Sequence, residues 1–454
     1  MRLFGTNGIR GVTNELMDCE LALRIGRATA SVLGPGPIAL AKDTRLSSDM
    51  LSSSLSAGMM SVGSNVVDLG MVPTPALQLY VRTHPNIVGG VMITASHNPP
   101  EFNGIKCISG DGTECSREQE SLIENAYESG VDTVGWSGTG HVILASDASD
   151  SYVDAVISNV DADTIRSAGL TVCLDCANGA SCDTTPEILR RLNVRTITIN
   201  GSKDGNFPGH PSEPTESNLK QLMDLVRDTG ADLGIAHDGD ADRCMFVTSS
   251  GKFVPGDVSL ALLARDCVEK NGGGDVVATV ATSSVLDDLV SAVGGKIDRT
   301  AVGSPIVARR MIESVAVFGG EDNGGLIFAD HQYCRDGAMG AARMLELIAR
   351  KGSLDDLISD IPEYTNIKSV YPCNDSSKNL IADKIANNHP EEQITRVDGL
   401  RIDYDDGWVL LRPSGTEPKF RIYSESKIPE IAEKRAETFR REFEDARTAL
   451  EGSE

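Results

Sequence analysis

The thirteen residues Thr94-Ala-Ser-His-Asn-Pro-Pro-Glu-Phe-Asn-Gly-Ile-Lys106 put a hydroxyl, an imidazole and an ammonium group within one short span. They follow an apolar run, Ile87 to Ile93, that reads as a buried strand. The cluster of Ser, His, Asn, Pro and Gly after it suits neither helix nor strand. A serine placed where a strand breaks into such a turn is expected to face solvent, with Asn98 a candidate left-handed residue before the prolines. The same residues would also make an ordinary polar loop. Against that reading stand three further unusual stretches, which supply the other parts of a phosphoryl-transfer site.

The first is His237-Asp-Gly-Asp-Ala-Asp-Arg243, at the carboxyl end of an apolar run. In an extended loop, residues two apart project the same way, so Asp238, Asp240 and Asp242 are expected to converge. Three crowded carboxylates repel one another unless a hard cation lies between them, and Mg²⁺ takes oxygen ligands while leaving room for water or a phosphate oxygen. A solvated acidic turn is the alternative, since Asp-Gly is common turn chemistry. An EF-hand is excluded, because the twelfth position counted from Asp238 is Ser249. The second stretch, Gly319 to Gly325, sets Glu321, Asp322 and Asn323 among glycines, where acceptors could reach the vicinal hydroxyls of a sugar. The third, Arg412-Pro-Ser-Gly-Thr-Glu-Pro-Lys-Phe-Arg421, offers hydroxyls and backbone amides between two arginines and a lysine. It reads as a nest for a non-reacting phosphate, or else as a structural turn. Near the start, Phe4-Gly-Thr-Asn-Gly-Ile-Arg-Gly11 lets amides approach an anion beside Arg10.

Short apolar runs alternate with helical patterns in three successive units, which implies βαβ elements with parallel pairing. The first unit holds the Ser96 stretch and ends in the polar segment Gly135 to Ser151. The second carries the aspartates and the third the Glu321 loop. From about Thr365 the texture changes to strands followed by an Arg/Glu-rich helix, Pro429 to Leu450. At 454 residues three or four domains are expected.

Composition sets limits on partners. A net charge of −24 argues against nucleic acid or an anionic membrane, so an anionic substrate must be captured by locally placed Arg and Lys. There is no apolar run of about 18 residues and no signal peptide, so a soluble cytoplasmic protein is expected. Of ten cysteines, only Cys173 and Cys176 have C-x-x-C spacing. They lie in a strand pattern, where residues three apart face opposite sides, and buried free thiols are expected.

Together, Thr94 to Pro99 with Asn103 to Lys106, Asp238 to Arg243, Gly320 to Gly324 and Arg412 to Pro418 resemble the α-D-phosphohexomutases. Phe4 to Arg10 matches as well, and the likeness covers essentially the whole chain, one motif per domain. Within the family the chain is most similar to the archaeal phosphoglucosamine mutases, with phosphomannomutase/phosphoglucomutase as near neighbour. The resemblance implies an α/β architecture of three similar mixed α/β domains plus a C-terminal α+β domain around a central cleft. The divisions would be 1–150 (phosphoserine), 151–250 (metal), 251–364 (sugar) and 365–454 (phosphate).

It also implies roles. Ser96 would carry the phosphoryl group, and Asp238, Asp240 and Asp242 would hold one Mg²⁺ together with an oxygen of phosphorylated Ser96. Arg10, Lys106 and Arg243 would stabilise charge on the transferring group, with Lys106 a candidate acid/base. Glu321 and Asn323 would meet the sugar, and Arg412, Ser414, Gly415, Thr416 and Arg421 the distal phosphate. A hexosamine 6-phosphate would become its 1-phosphate through a 1,6-bisphosphate, which also serves as activator, on a monomer or homodimer. One departure stands out: some members end the sugar loop in Ser-Gly-His, but here it ends Asn323-Gly324-Gly325. The work of that histidine falls to His97 or Lys106, to a folded-back His331, or to nothing. Two rival readings remain, a metal-dependent phosphomonoesterase and a non-catalytic sugar-phosphate sensor.

Overall fold

The computed structural model describes residues 3–5, 7–374, 377–391, 394–414 and 418–451. Its strands are mostly four to eight residues long and apolar, and some of the helices around them carry side-chain N-caps. Asp18 accepts from the Leu21 amide, Ser116 and Gln119 form a reciprocal capping box, and Asp336 accepts from the Met339 amide. Each such cap contributes about 1 kcal/mol.

Four sheets follow one another along the chain. The first has six strands in the spatial order Ile9–Val12, Phe102–Ser109, Gly89–Ile93, Ile38–Lys42, Val66–Met71, Val142–Leu144. The second has five, Phe253–Val254, Cys244–Thr248, Leu233–His237, Thr171–Asp175, Arg195–Ile199. The third has four, Lys296–Thr300, Asp275–Thr279, Phe318–Glu321, Gly325–Phe328. The fourth runs Thr365–Pro372, Lys419–Ser426, Gly407–Pro413, Leu400–Tyr404, Ile394–Thr395, with every neighbour antiparallel.

The first three sheets are mixed where the βαβ pattern predicted parallel pairing. Ile38–Lys42 pairs in parallel with both of its neighbours, but Phe102–Ser109 runs antiparallel to Gly89–Ile93 and to Ile9–Val12. The departure is systematic. All four unusual stretches are turns between two antiparallel strands, after Ile93, His237, Glu321 and Pro413. A hairpin returns the chain at once, so both flanking strands fix the turn.

One apolar core is continuous from Ala39 through the second and third units to Leu354, whereas the fourth unit has its own, around Phe420, Phe439 and Phe443. A small cluster of Val280, Ala281, Trp408 and Leu410 joins the third unit to the fourth. Cys173 and Cys176 lie in different apolar clusters, on opposite faces of their strand, and both are free thiols. Among the described residues, no helix is long and apolar enough to cross a membrane.

Candidate active site

Strand Gly89–Ile93 delivers the chain to Ser96, which sits at φ 52°. The left-handed residue is therefore Ser96 itself and not Asn98. Non-glycine residues resist that conformation; the Ser96 amide donates to Thr94 Oγ1 at 2.8 Å, and Arg45 supplies the largest set of bonds to the loop. The Arg45 guanidinium donates to the carbonyls of Ser96 (2.9 Å), Asn98 (2.6 Å), Pro99 (2.6 Å) and Phe102 (2.9 Å). Asp43 accepts in turn from Arg45 Nε (3.1 Å), Thr94 Oγ1 (2.7 Å) and Ser48 Oγ (2.9 Å).

Ser96 does not face solvent; its exposure is 0%. The acidic turn of the second unit packs directly over it. A Cβ on Gly239 would lie 2.5 Å from the Ser96 carbonyl oxygen, so only glycine permits the approach.

The acidic turn is not extended. Ala241 at φ 57° folds it tightly, and that fold is what gathers the three carboxylates, with one oxygen from each within 4.8 Å of the others. Ser96 Oγ donates to Asp238 Oδ2 at 2.7 Å. Asp240 Oδ2 accepts from Thr74 Oγ1 (2.5 Å) and Lys106 Nζ (2.7 Å); Asp242 Oδ2 accepts from Lys106 Nζ (3.0 Å) and Arg335 Nη2 (2.5 Å). The Oδ1 atoms of Asp240 and Asp242 are buried with no hydrogen-bond partner. Burial, then the charges of Asp242 and Asp240, raise the Asp238 pKa. For Asp242 the same burial is outweighed by Arg335, Lys106 and Arg243, and its pKa is lowered. Burial alone would lower the Lys106 pKa, but Asp240 and Asp242 outweigh it and keep the ammonium charged. Three converging buried carboxylates, two of them with idle oxygens, fit a hard divalent cation.

A cavity of about 370 Å³ opens beside this pair of turns, within the range of small-molecule sites. Arg10, His97, Arg243, Glu321, Asn323 and Arg335 line it. Arg10 Nη1 donates to Ala95 O (3.2 Å) and Asn98 Oδ1 (2.9 Å). His97 Nδ1 lies 3.3 Å from Ser96 Oγ, and burial followed by the charges of Arg243 and Arg10 depresses its pKa to about 3. Its imidazole is therefore neutral at pH 7. Glu321 accepts from the Gly303 amide (3.1 Å) and from Arg335 Nη1 (3.4 Å), and burial raises its pKa. Asn323 Oδ1 is occupied by the Gly325 amide at 3.1 Å. His331 does not fold back; its ring nitrogens face Asn159 and Asp336 in the core.

Arg10, Ser96, His97, Lys106, the three aspartates, Arg243, Glu321 and Asn323 thus come together. Arg412, Ser414 and Arg421 do not line the cavity; they sit on the hairpin of the fourth unit. Arg412 and Arg421 are direct cross-strand partners, and Asp398 pairs with Arg412 at 2.7 Å. The Ser414 amide donates to Lys419 O (2.9 Å) and its carbonyl accepts from Lys378. Gly415 and Thr416 lie outside the described residues. Asp43, Arg45, Thr74 and Arg335 were not anticipated. Asp43 and Arg45 follow strand Ile38–Lys42, so the strand-end reasoning applied to the other turns would have reached them. Thr74 and Arg335 carry no spacing signal.

Three α/β units and an antiparallel fourth, each offering a turn at the end of a strand, make the architecture of the phosphohexomutases. Family models for the phosphoglucomutase/phosphomannomutase α/β/α domains I, II and III match residues 1–133, 150–251 and 255–364, and that for the C-terminal domain matches residues 372–442. The chain belongs to this family. It is 43% identical over 447 residues to a Methanopyrus kandleri protein named probable phosphoglucosamine mutase, covering 98% of this chain and 97% of that one. It is 41% identical over 440 residues to a Thermococcus kodakarensis protein named phosphoglucomutase/phosphomannomutase, covering 95% and 96%. A solved family member from Burkholderia thailandensis superposes with a TM-score of 0.86 at 27% identity, covering 97% of each chain.

Proposed function

We propose that this chain interconverts glucosamine 6-phosphate and glucosamine 1-phosphate through a phosphoserine at Ser96 and a 1,6-bisphosphate. The observation that carries this reading is the 2.7 Å hydrogen bond from Ser96 Oγ into a buried aspartate trio beside a basic cavity. Asp238, Asp240 and Asp242, with Ser96, would hold one Mg²⁺. That ion would offset charge on the transferring phosphoryl group.

The chain's own residues do the rest. Arg10 and Arg243 neutralise the equatorial oxygens from the cavity side, while buried Lys106 does so from beneath. His97, 3.3 Å from Ser96 Oγ, is the candidate to relay the proton of the attacking sugar hydroxyl to Ser96 Oγ as the P–O bond to that oxygen breaks. As the P–O bond to Ser96 breaks, a new one forms to the sugar, and Ser96 regains a phosphoryl group from the other end once the bisphosphate has turned. Glu321 and Asn323 orient the sugar. Arg412, Ser414 and Arg421, with Gly415 and Thr416, hold the phosphate that is not reacting. The four divisions 1–150, 151–250, 251–364 and 365–454 would then carry one task each, in a cytoplasmic enzyme acting as monomer or homodimer.

The choice of glucosamine leans on the names of the archaeal relatives; the Thermococcus kodakarensis name favours glucose and mannose phosphates as a second reading. The test is phosphorus NMR of the purified protein with Mg²⁺ and trace sugar bisphosphate, on glucosamine 6-phosphate, mannose 1-phosphate and glucose 1-phosphate separately. Fastest isomerisation of the glucosamine compound, absent in Ser96→Ala, supports the proposal. Faster turnover of the others replaces the substrate, and inorganic phosphate as main product replaces the mutase with a phosphatase.

A further inference from the structure

The turn after Glu321 ends at Gly325, where a side chain would collide with Arg335. An ideal Cβ on Gly325 would lie 2.3 Å from Arg335 Cδ and 3.1 Å from Cγ. The Gly325 backbone is not in the left-handed region, so the glycine is required by the neighbouring side chain and not by its own φ. Arg335 comes from just before the helix Gly337–Lys351, is 6% exposed, and threads this gap into the cavity. Its guanidinium ends between two carboxylates from different units, 2.5 Å from Asp242 Oδ2 and 3.4 Å from Glu321 Oε2. Among the described residues no other side chain hydrogen-bonds to both turns, which are also joined by the backbone bond from Cys244 N to Gly324 O at 3.0 Å.

We propose that Arg335, admitted by Gly325, is a positioning residue of the mutase reaction: it ties the aspartate trio to the sugar-side Glu321. The inference rests on the function proposed above. Two consequences of opposite sign follow. Arg335 is a cation beside the trio, so it competes electrostatically with a divalent ion. Among the described residues it is also the only side-chain donor to Glu321, so it favours the ionised carboxylate and holds it in place for the sugar. Its loss should tighten the metal and loosen the sugar at once. A merely structural residue would weaken both.

The experiment uses the full chain and two readouts: Mg²⁺ affinity by titration calorimetry without sugar, and steady-state KM and kcat for the best hexose phosphate. Arg335→Ala should bind Mg²⁺ about 3- to 10-fold more tightly, with KM raised about 10-fold or more. Arg335→Lys, which keeps the charge but not the fork, should return Mg²⁺ affinity to that of the parent and recover only part of the KM. Gly325→Ala should move both readouts in the direction of Arg335→Ala by displacing the guanidinium, yet add little in the Arg335→Ala background, since only the 3.0 Å approach to Asn323 Oδ1 then remains. If Arg335→Ala does not fold, Gly325→Ala and Arg335→Lys still report the same quantities. Unchanged Mg²⁺ affinity and KM, or a loss of both together with a lowered melting temperature, would overturn the proposal. Failure of the parent protein to bind Mg²⁺ or to isomerise any sugar phosphate would instead sink the functional reading beneath it.

Discussion

The two places proposed to hold phosphate are built in opposite ways. Around Ser96 the supporting groups are buried, their charges interlocked, and the serine backbone pinned in an uncommon conformation by four bonds from Arg45. On the fourth unit, Arg412 and Arg421 face each other across a hairpin on a body with its own apolar core. Bond making and breaking needs fixed geometry, because a small misplacement is costly in rate. A grip that must release a bisphosphate so that it can turn needs a surface able to move with its domain. Under the proposed function the contrast would give chemistry to the first region and reversible holding to the second.

The largest effect should come from Ser96→Ala, which should lower isomerisation at least about a thousandfold while leaving thermal unfolding nearly unchanged. Retained turnover would remove the chemistry from this region. Next, Arg45→Ala strands Asp43 and four carbonyls in the interior and should cost about 3–5 kcal/mol in urea unfolding; a loss under 1 kcal/mol would show that the loop holds itself. Third, Arg412→Ala or Arg421→Ala should raise KM about 10- to 100-fold with kcat little altered, as expected on losing a charge-assisted contact made equally before and during reaction. A fall in kcat as large as that of Ser96→Ala would erase the distinction between the two regions.

The smallest effect concerns pH at the seam between the third and fourth units. Burial, then the charge of Asp322, raises the Asp257 pKa to about 7. A carboxyl whose folded value lies above its unfolded one, about 3.9, stabilises the fold fully below pH 4 and loses that contribution as pH rises towards 7. Asp257→Asn should therefore flatten the stability profile between those limits, relative to the parent, in parallel denaturation series. Identical slopes would mean that Asp257 ionises normally.

Much of this was legible in the chain. The last helix was legible from its Arg/Glu-rich pattern, expected over Pro429 to Leu450 and found over Pro429–Glu451, because that signal is local. The aspartates were legible because three acids at alternate positions are costly anywhere, although the turn at Ala241, and not an extended loop, brings them together. Parallel pairing was overestimated because hairpin and crossover look alike when the connection is eight residues of Ser, Asn and Pro. The burial of Ser96 was out of reach, since it comes from a turn more than a hundred residues away packing over it through Gly239. Arg335 was hidden for the same reason: nothing near it in sequence announces Asp242 or Glu321.

Asp398 Oδ2 accepts from Arg412 Nε at 2.7 Å and from the Val302 amide at 3.1 Å. Val302 lines the cavity, next to the Gly303 amide that holds Glu321. One oxygen thus answers both to Arg412 of the proposed phosphate grip and to the wall of the cavity. An arriving phosphate that draws Arg412 away leaves that oxygen to Val302 alone, and by thermodynamic reciprocity a firmer Val302 bond favours an Arg412 ready to bind anions. Deuterium uptake at the Val302 amide would then act as a gauge of occupancy on the far side of the seam, slowing as the grip fills.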